Sequence, residues 1–198
     1  MKIYKAFLST LVFVVLLLCV YWMHVTFFKV NVLLYSAIAD GVLATSIAAG
    51  VLFGWRYLAV FSRFEKVQLC LIWFLGAYIF AISIPTVIDR SLSFYILEKI
   101  QQRGGGIKLA NFEDVFTKEY VKEHRLVDIR LTEQQQSGTI VIENGCVKLT
   151  KRGNEIAEFS RYFRKHFLPK QKLLNGEYSD ALVDPFLSSV NTADYTCK

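Results

Sequence analysis

Residues 6–28 read AFLSTLVFVVLLLCVYWMHVTFF, a run in which no side chain carries a permanent charge. A helix rises about 1.5 Å per residue and the hydrocarbon core of a membrane is about 30 Å thick, so about 20 apolar residues cross it. Two later segments have the same character: residues 30–55, broken only by Asp40, and residues 67–88, which have no charge. Helices buried in a soluble core would have polar faces that these runs lack. The sequence therefore predicts three transmembrane helices.

Lys2 and Lys5 precede the first run, as basic residues precede the apolar part of a signal peptide. The run is too long for a signal peptide, and no cleavage motif of small residues follows it. We therefore expect it to be retained. Charged residues become frequent near residue 90, which predicts a transmembrane anchor over residues 1–90, a soluble domain over residues 91–168 and a partly apolar tail over residues 169–198.

The orientation of the chain is predicted from the basic residues beside the spans. With the N-terminus in the cytoplasm, five of them lie inside (Lys2, Lys5, Arg56, Arg63 and Lys66) and four lie outside (Lys29, Arg90, Lys99 and Arg103). Cytoplasmic flanks carry the excess of Lys and Arg, and the first helix usually dominates. This favours an N-terminus in the cytoplasm and an external soluble domain, in a bacterial inner membrane.

Three helices are predicted at the start of the soluble domain. Apolar residues recur at helical spacing over residues 91–103, until three successive glycines stop the helix. Asn111 suits the N-cap of a second helix, with Asp114 at its third position, and this helix extends to about His124. A third, short helix is expected at residues 128–136.

A β-hairpin and a closing helix follow. Residues 139–143 and 146–150 are rich in β-forming side chains, and the Asn144-Gly145 pair between them is typical of a type I′ turn. Thr150 can cap a last helix that Pro169 ends. Beyond it the tail contains enough apolar residues that we expect it to pack on the domain or on a partner, with disorder only from Ser188.

This order of elements resembles the winged-helix fold. Leu149-Thr150-Lys151-Arg152-Gly153 is similar to the LTxxG junction between the wing and the last helix of many bacterial winged-helix regulators. The resemblance covers residues 91–168, about two fifths of the chain. It implies a small α+β winged-helix-like soluble domain, and it implies a fold more than a function.

In winged-helix regulators the third helix contacts DNA, so the resemblance would place Arg130, Gln134 and Gln135 in a major groove. A DNA-binding surface is usually strongly basic. Here residues 91–198 contain 16 Lys and Arg against 14 Asp and Glu, and Glu133 lies within the same helix. Nucleic acid is therefore not an expected partner, and a membrane-tethered transcription regulator is kept as the alternative function.

Asp40 is the one charged residue well inside a predicted span, and a carboxylate there costs roughly 2.5 to 3.5 kcal/mol unless it is protonated or paired. We expect it to bond with Ser or Tyr of a neighbouring span; contact with another subunit and proton or substrate transport are the alternatives. Gly41 belongs to a small-residue stripe on this helix, and Gly50 and Gly54 form a GxxxG motif. Such residues permit close helix packing.

One local basic cluster lies at the end of the last helix, and its main members are Arg161, Arg164, Lys165 and Lys170. A solvated helix face is the preferred interpretation. Contact with anionic headgroups or with an acidic partner is the alternative, because each basic side chain near an anionic leaflet contributes about 1 kcal/mol to binding.

No catalytic constellation is evident in the sequence. His24, His124 and His166 lie in different elements, the glycines at 104–106 lack the Lys-Ser/Thr of a phosphate loop, and no cysteines have zinc spacing. We therefore expect no catalytic residue, metal or cofactor. The predicted function is a non-enzymatic accessory or interaction protein in the lipid bilayer, a subunit of a cell-envelope assembly complex, with a membrane-protein partner or a second copy of itself.

Overall fold

The computed structural model describes residues 2–182, and the chain folds as two compact units, Met1–Val115 (unit 1) and Phe116–Lys198 (unit 2). The first helix after the spans belongs to unit 1, so the division falls later than the predicted boundary at residue 90. Unit 1 has three helices that are long and apolar enough to cross a membrane. The three predicted spans are therefore confirmed.

The spans form a bundle at the start of unit 1. They begin with α1 (Lys2–Phe27) and α2 (Leu33–Gly54), which are followed by a single 3-10 turn at Arg56–Leu58. The third span comprises α3 (Arg63–Ala81), a π-helical segment at Ile82–Thr86 and the short α4 (Val87–Arg90).

Local chemistry explains the start and the irregular end of the third span. Ser62 and Glu65 form a complete capping box at its first turn. Pro85, inside the π-helical segment, has no N–H to donate to the carbonyl one turn earlier. The Thr86 hydroxyl instead donates to the Ala81 carbonyl at 2.8 Å, so that this carbonyl is satisfied inside the apolar helix.

Aromatic stacking and small residues hold the bundle together. The rings of Phe13 in α1 and Trp73 in α3 stack at a centroid distance of 5.3 Å, and the Trp73 indole N–H donates to Thr10 at 3.0 Å. The Lys66 ammonium donates to the Leu52 carbonyl at 2.8 Å, which places a cation at the C-terminal end of α2. These contacts surround a buried core whose members are Phe13, Leu17, Ala44, Leu52, Leu58, Phe61, Trp73 and Ala77.

After the spans, α5 (Leu92–Gln102) matches the first predicted helix of the soluble domain. The Ser91 hydroxyl accepts from the Phe94 amide at its start, and Gly104 and Gly105 end it with φ angles of 81° and 97°. These angles lie in the left-handed region that favours glycine.

The second predicted helix is interrupted. The structure has a 3-10 turn at Leu109–Asn111, α6 (Phe112–Asp114), a π-helical segment at Val115–Tyr120 and α7 (Val121–Glu123). Asn111 lies at the N-cap position of α6, as predicted, but its side chain makes no capping bond. A capping bond needs extended backbone, whereas Asn111 has helical φ and ψ of −96° and −1° because it ends the 3-10 turn.

Unit 2 contains a helix, a hairpin and a second helix. They are α8 (Leu126–Gln136), β1 (Ile140–Glu143), β2 (Cys146–Leu149) and α9 (Lys151–Phe167). The strands pair antiparallel with Ile140 opposite Leu149, and the turn residues Asn144 and Gly145 have φ of 52° and 76°. The predicted hairpin and its positive-φ turn are confirmed.

A second hairpin, which the sequence interpretation did not predict, follows α9. It comprises β3 (Lys172–Leu174) and β4 (Glu177–Ser179), with positive φ at Asn175 and Gly176. Leu173 and Tyr178 are more than half exposed, so these side chains are not buried on unit 2, and packing on a partner stays the prediction for them. The apolar residues Val183 and Phe186 and the region predicted to be disordered lie outside the described residues.

The junction between β2 and α9 explains the Leu-Thr-x-x-Gly pattern physically. The Thr150 hydroxyl accepts from the Gly153 amide at 3.1 Å and donates to the Gly138 carbonyl at 2.7 Å. A Cβ at Gly153 would lie only 1.9 Å from the Thr139 carbonyl oxygen. Thr150 therefore caps α9 while Gly153 allows the first turn of α9 to touch the backbone before β1.

Replacing Gly145 by Val should destabilise unit 2 by more than about 1 kcal/mol, because a β-branched side chain opposes the positive φ of the turn. Gly145→Asn is the matched control, since Asn tolerates this conformation. Hydrogen exchange of the β1 and β2 amides in the full chain measures the effect. Equal protection in both variants would contradict the turn assignment.

Candidate functional site

Asp40 and His24 form a polar pair between α1 and α2. His24 Nδ1 lies 2.6 Å from Asp40 Oδ1, and the two side chains are 27% and 6% exposed, respectively. His24 lies one turn before the end of α1 and Asp40 two turns after the start of α2. The short connection at residues 28–32 therefore brings the two polar groups together near one end of the bundle.

Asp40 thus has a partner inside its own chain, as expected, but the partner is His24 and not the Ser or Tyr that we predicted. The second carboxylate oxygen, Oδ2, is buried and has no hydrogen-bond partner within residues 2–182. A polar residue near the connection in each of two consecutive spans was the sequence signal for this pair. The arrangement satisfies half of the carboxylate and leaves one acceptor oxygen available.

Gly41 allows α2 and α3 to approach closely. A Cβ at Gly41 would lie 2.9 Å from the Ala77 Cβ, which is closer than two methyl carbons can normally come. The same addition at Gly50 or Gly54 would meet no atom within 4 Å in the described part of the chain. At about 100° per residue, Gly50 is turned roughly 180° away from Gly41. The expected packing role is therefore present at Gly41, whereas Gly50 and Gly54 lie on the opposite face and make no such close approach to residues 2–182.

The basic cluster of α9 lies apart from an apolar face on the same helix. Arg161 and Lys165 are exposed on one side, Arg164 is half-buried, and Lys170 lies beyond the helix in the connection to β3. The basic residues of the last turn interact favourably with the helix dipole. This arrangement agrees with a solvated face, which was the preferred interpretation.

The opposite face of α9 is aromatic and exposed. Its members follow a helical spacing and are between 42% and 65% exposed: Ile156, Phe159, Phe163 and Phe167. Phe163 stacks on Phe167 at a centroid distance of 5.2 Å. Among the described residues of unit 2, Tyr120 is the only buried hydrophobic side chain. The helical spacing of these apolar residues is visible in the sequence, but their exposure is not.

The residues of the DNA-binding alternative are engaged within unit 2. The Arg130 guanidinium donates to Glu133 at 2.7 Å, and Arg130 is only partly exposed. The Thr139 hydroxyl bonds to the side chain of Gln134 and to its carbonyl. Gln135 is exposed. Reading bases with Arg130 would require breaking its ion pair with Glu133.

Two cysteines lie in the spans, and both Cys19 and Cys70 are free thiols. Within residues 2–182 no three His, Cys, Asp or Glu side chains are grouped closely enough to hold a metal ion.

Searches against protein-family models, curated proteins and solved structures gave no match.

Proposed function

We propose that this chain is a non-enzymatic accessory protein of a bacterial inner membrane, whose unit 2 binds another protein of a cell-envelope assembly complex. The observation that carries the proposal is the aromatic face of α9. Four large apolar side chains on one helix face are expensive to leave in water, and contiguous exposed apolar surface marks interaction sites. Aromatic residues are also enriched at the centres of protein interfaces.

The proposal includes the winged-helix-like fold that the resemblance implies for residues 91–168. Its support is the order α8, β1, β2 and α9, together with the Thr150–Gly153 junction that joins them. The function of the fold is assigned from its surface and not from the resemblance.

An external position for unit 2 is part of the same proposal. Its support is the excess of basic residues beside the spans on the side of the N-terminus, which favours an N-terminus in the cytoplasm. An external unit could not act on DNA.

Site-specific photocrosslinking tests the interaction. A benzoylphenylalanine at position 163 should form an adduct of one defined mass in native membranes, because Phe163 lies in the aromatic face. The control position is Lys165, on the opposite face of the same helix. In a separate co-purification experiment, the double variant Phe159→Ser/Phe163→Ser should retain at least about tenfold less of the same partner, because truncating the anchor residues of an interface weakens binding by this much. Equal crosslinking at 163 and 165, or unchanged recovery, would contradict the proposal.

The alternative, a membrane-tethered winged-helix transcription regulator, is favoured by the Leu149–Gly153 pattern and requires unit 2 in the cytoplasm. Fusions of alkaline phosphatase and of a fluorescent protein to the C-terminus separate the two functions. We expect an active phosphatase and a dark fluorescent protein, because unit 2 is proposed to be external. The opposite pair of results would support the regulator.

A further inference from the structure

A groove lies between α1 and α2 at the end of the bundle where α1 begins. It has a volume of about 200 Å³, and Trp73 and Phe13 lie on its inner side. Its walls are apolar and include Leu8, Val12 and Val51, all of which are also exposed on the surface of the spans. In a membrane such a groove opens toward lipid acyl chains.

Polar groups are concentrated at one end of the groove. The Lys5 ammonium donates to the Tyr57 carbonyl at 2.8 Å and lies 3.8 Å from the centre of the Tyr57 ring. These two contacts hold the ammonium in place, and it has further N–H groups to donate. Trp55 and Tyr57 are both exposed here. Exposed Trp and Tyr mark the depth of the lipid headgroups, so Lys5 lies at that depth.

The charge of this end complements an anion. The first turns of α1, the α2–α3 connection and the start of α3 together contain five basic residues and one acidic residue, Glu65. Glu65 is paired with Lys2 at 3.1 Å, so its carboxylate does not neutralise Lys5. Basic pockets between transmembrane helices bind anionic headgroups.

We propose that this groove binds one acyl chain of an anionic phospholipid, with the lipid phosphate on the Lys5 ammonium. The apolar walls hold the chain between α1 and α2, and Lys5 provides the preference for a negatively charged headgroup. The proposal rests on unit 1 alone and is independent of the function proposed for unit 2.

Native mass spectrometry of the full chain tests this site. The protein is taken from nanodiscs with equal amounts of phosphatidylglycerol and phosphatidylcholine, and the retained lipids are counted. We expect phosphatidylglycerol to be retained preferentially, and Lys5→Gln to lower its retention about fivefold, the effect of one basic side chain at an anionic headgroup. Lys29→Gln is the matched control, because it removes the same charge from the other end of α1.

A second variant tests the groove itself. Val51→Phe enlarges an exposed wall residue, so it should fill the groove without disturbing the core, and retention of both lipids should fall. Equal retention of the two lipids by the unmodified chain would overturn the proposal. So would an equal loss in Lys5→Gln and Lys29→Gln, or unchanged retention in Val51→Phe.

Discussion

Gly153→Ala should destabilise unit 2 by about 3 kcal/mol, the upper range for forcing an extra carbon into a packed site. Alanine is the better helix former by about 1 kcal/mol, so helix propensity alone predicts the opposite sign. The contact with the Thr139 carbonyl outweighs the gain in helix propensity. A Cβ at 1.9 Å from that oxygen would force the backbone of α9 away from the segment before β1. The Thr150 cap on α9 would be strained as well.

Hydrogen exchange in the full chain measures this effect, because it reports on unit 2 separately from the spans. We expect faster exchange over α9 and the β1–β2 hairpin and no change over α2. Lys151→Ala is the control, as it alters an exposed residue of the same helical turn. Increased protection in Gly153→Ala would mean that α9 does not touch the Thr139 backbone.

The features that the sequence predicted well are those that local chemistry determines. The three spans follow from apolar segments whose length matches a membrane. The hairpin follows from Asn144 and Gly145, because few residue pairs accept two consecutive positive φ angles. The start of α9 at Thr150 was also predictable from local sequence, because the capping bond joins two residues only three positions apart.

The features that the sequence analysis missed depend on which face of an element meets another element. Gly50 and Gly54 form a packing motif, but whether it is used depends on the rotation of α2, and Gly41 on the opposite face makes the contact. The 3-10 turn that ends at Asn111 and the π-helical segment at Val115–Tyr120 are likewise signalled by no single residue. The sequence shows a polar residue near the connection in each of α1 and α2, but which side chain meets Asp40 depends on how the two helices are rotated.

That partnership leads to the second prediction, an asymmetry between the two members of the pair. His24→Leu should destabilise the bundle by about 2 kcal/mol, because it leaves a buried carboxylate uncompensated. Asp40→Leu should cost less than about 1 kcal/mol and should still insert, since His24 is partly exposed near the end of α1 and is not left buried without a partner. The double variant His24→Leu/Asp40→Leu should recover most of the stability that His24→Leu loses.

Unfolding of the full chain in mixed detergent micelles gives these free energies. The unmodified chain, the two single variants and the double variant form a double-mutant cycle whose interaction term is the coupling between the two side chains. Asp40→Asn is the conservative control, because its amide oxygen still accepts from His24. Crosslinks from the Asp40 region of α2 to other membrane proteins should be unchanged in Asp40→Leu, since the carboxylate bonds within its own bundle. Equal losses for His24→Leu and Asp40→Leu with an additive double variant would mean that the two side chains are not coupled. Loss of a crosslink in Asp40→Leu would instead assign the unbonded Oδ2 to a helix of another protein.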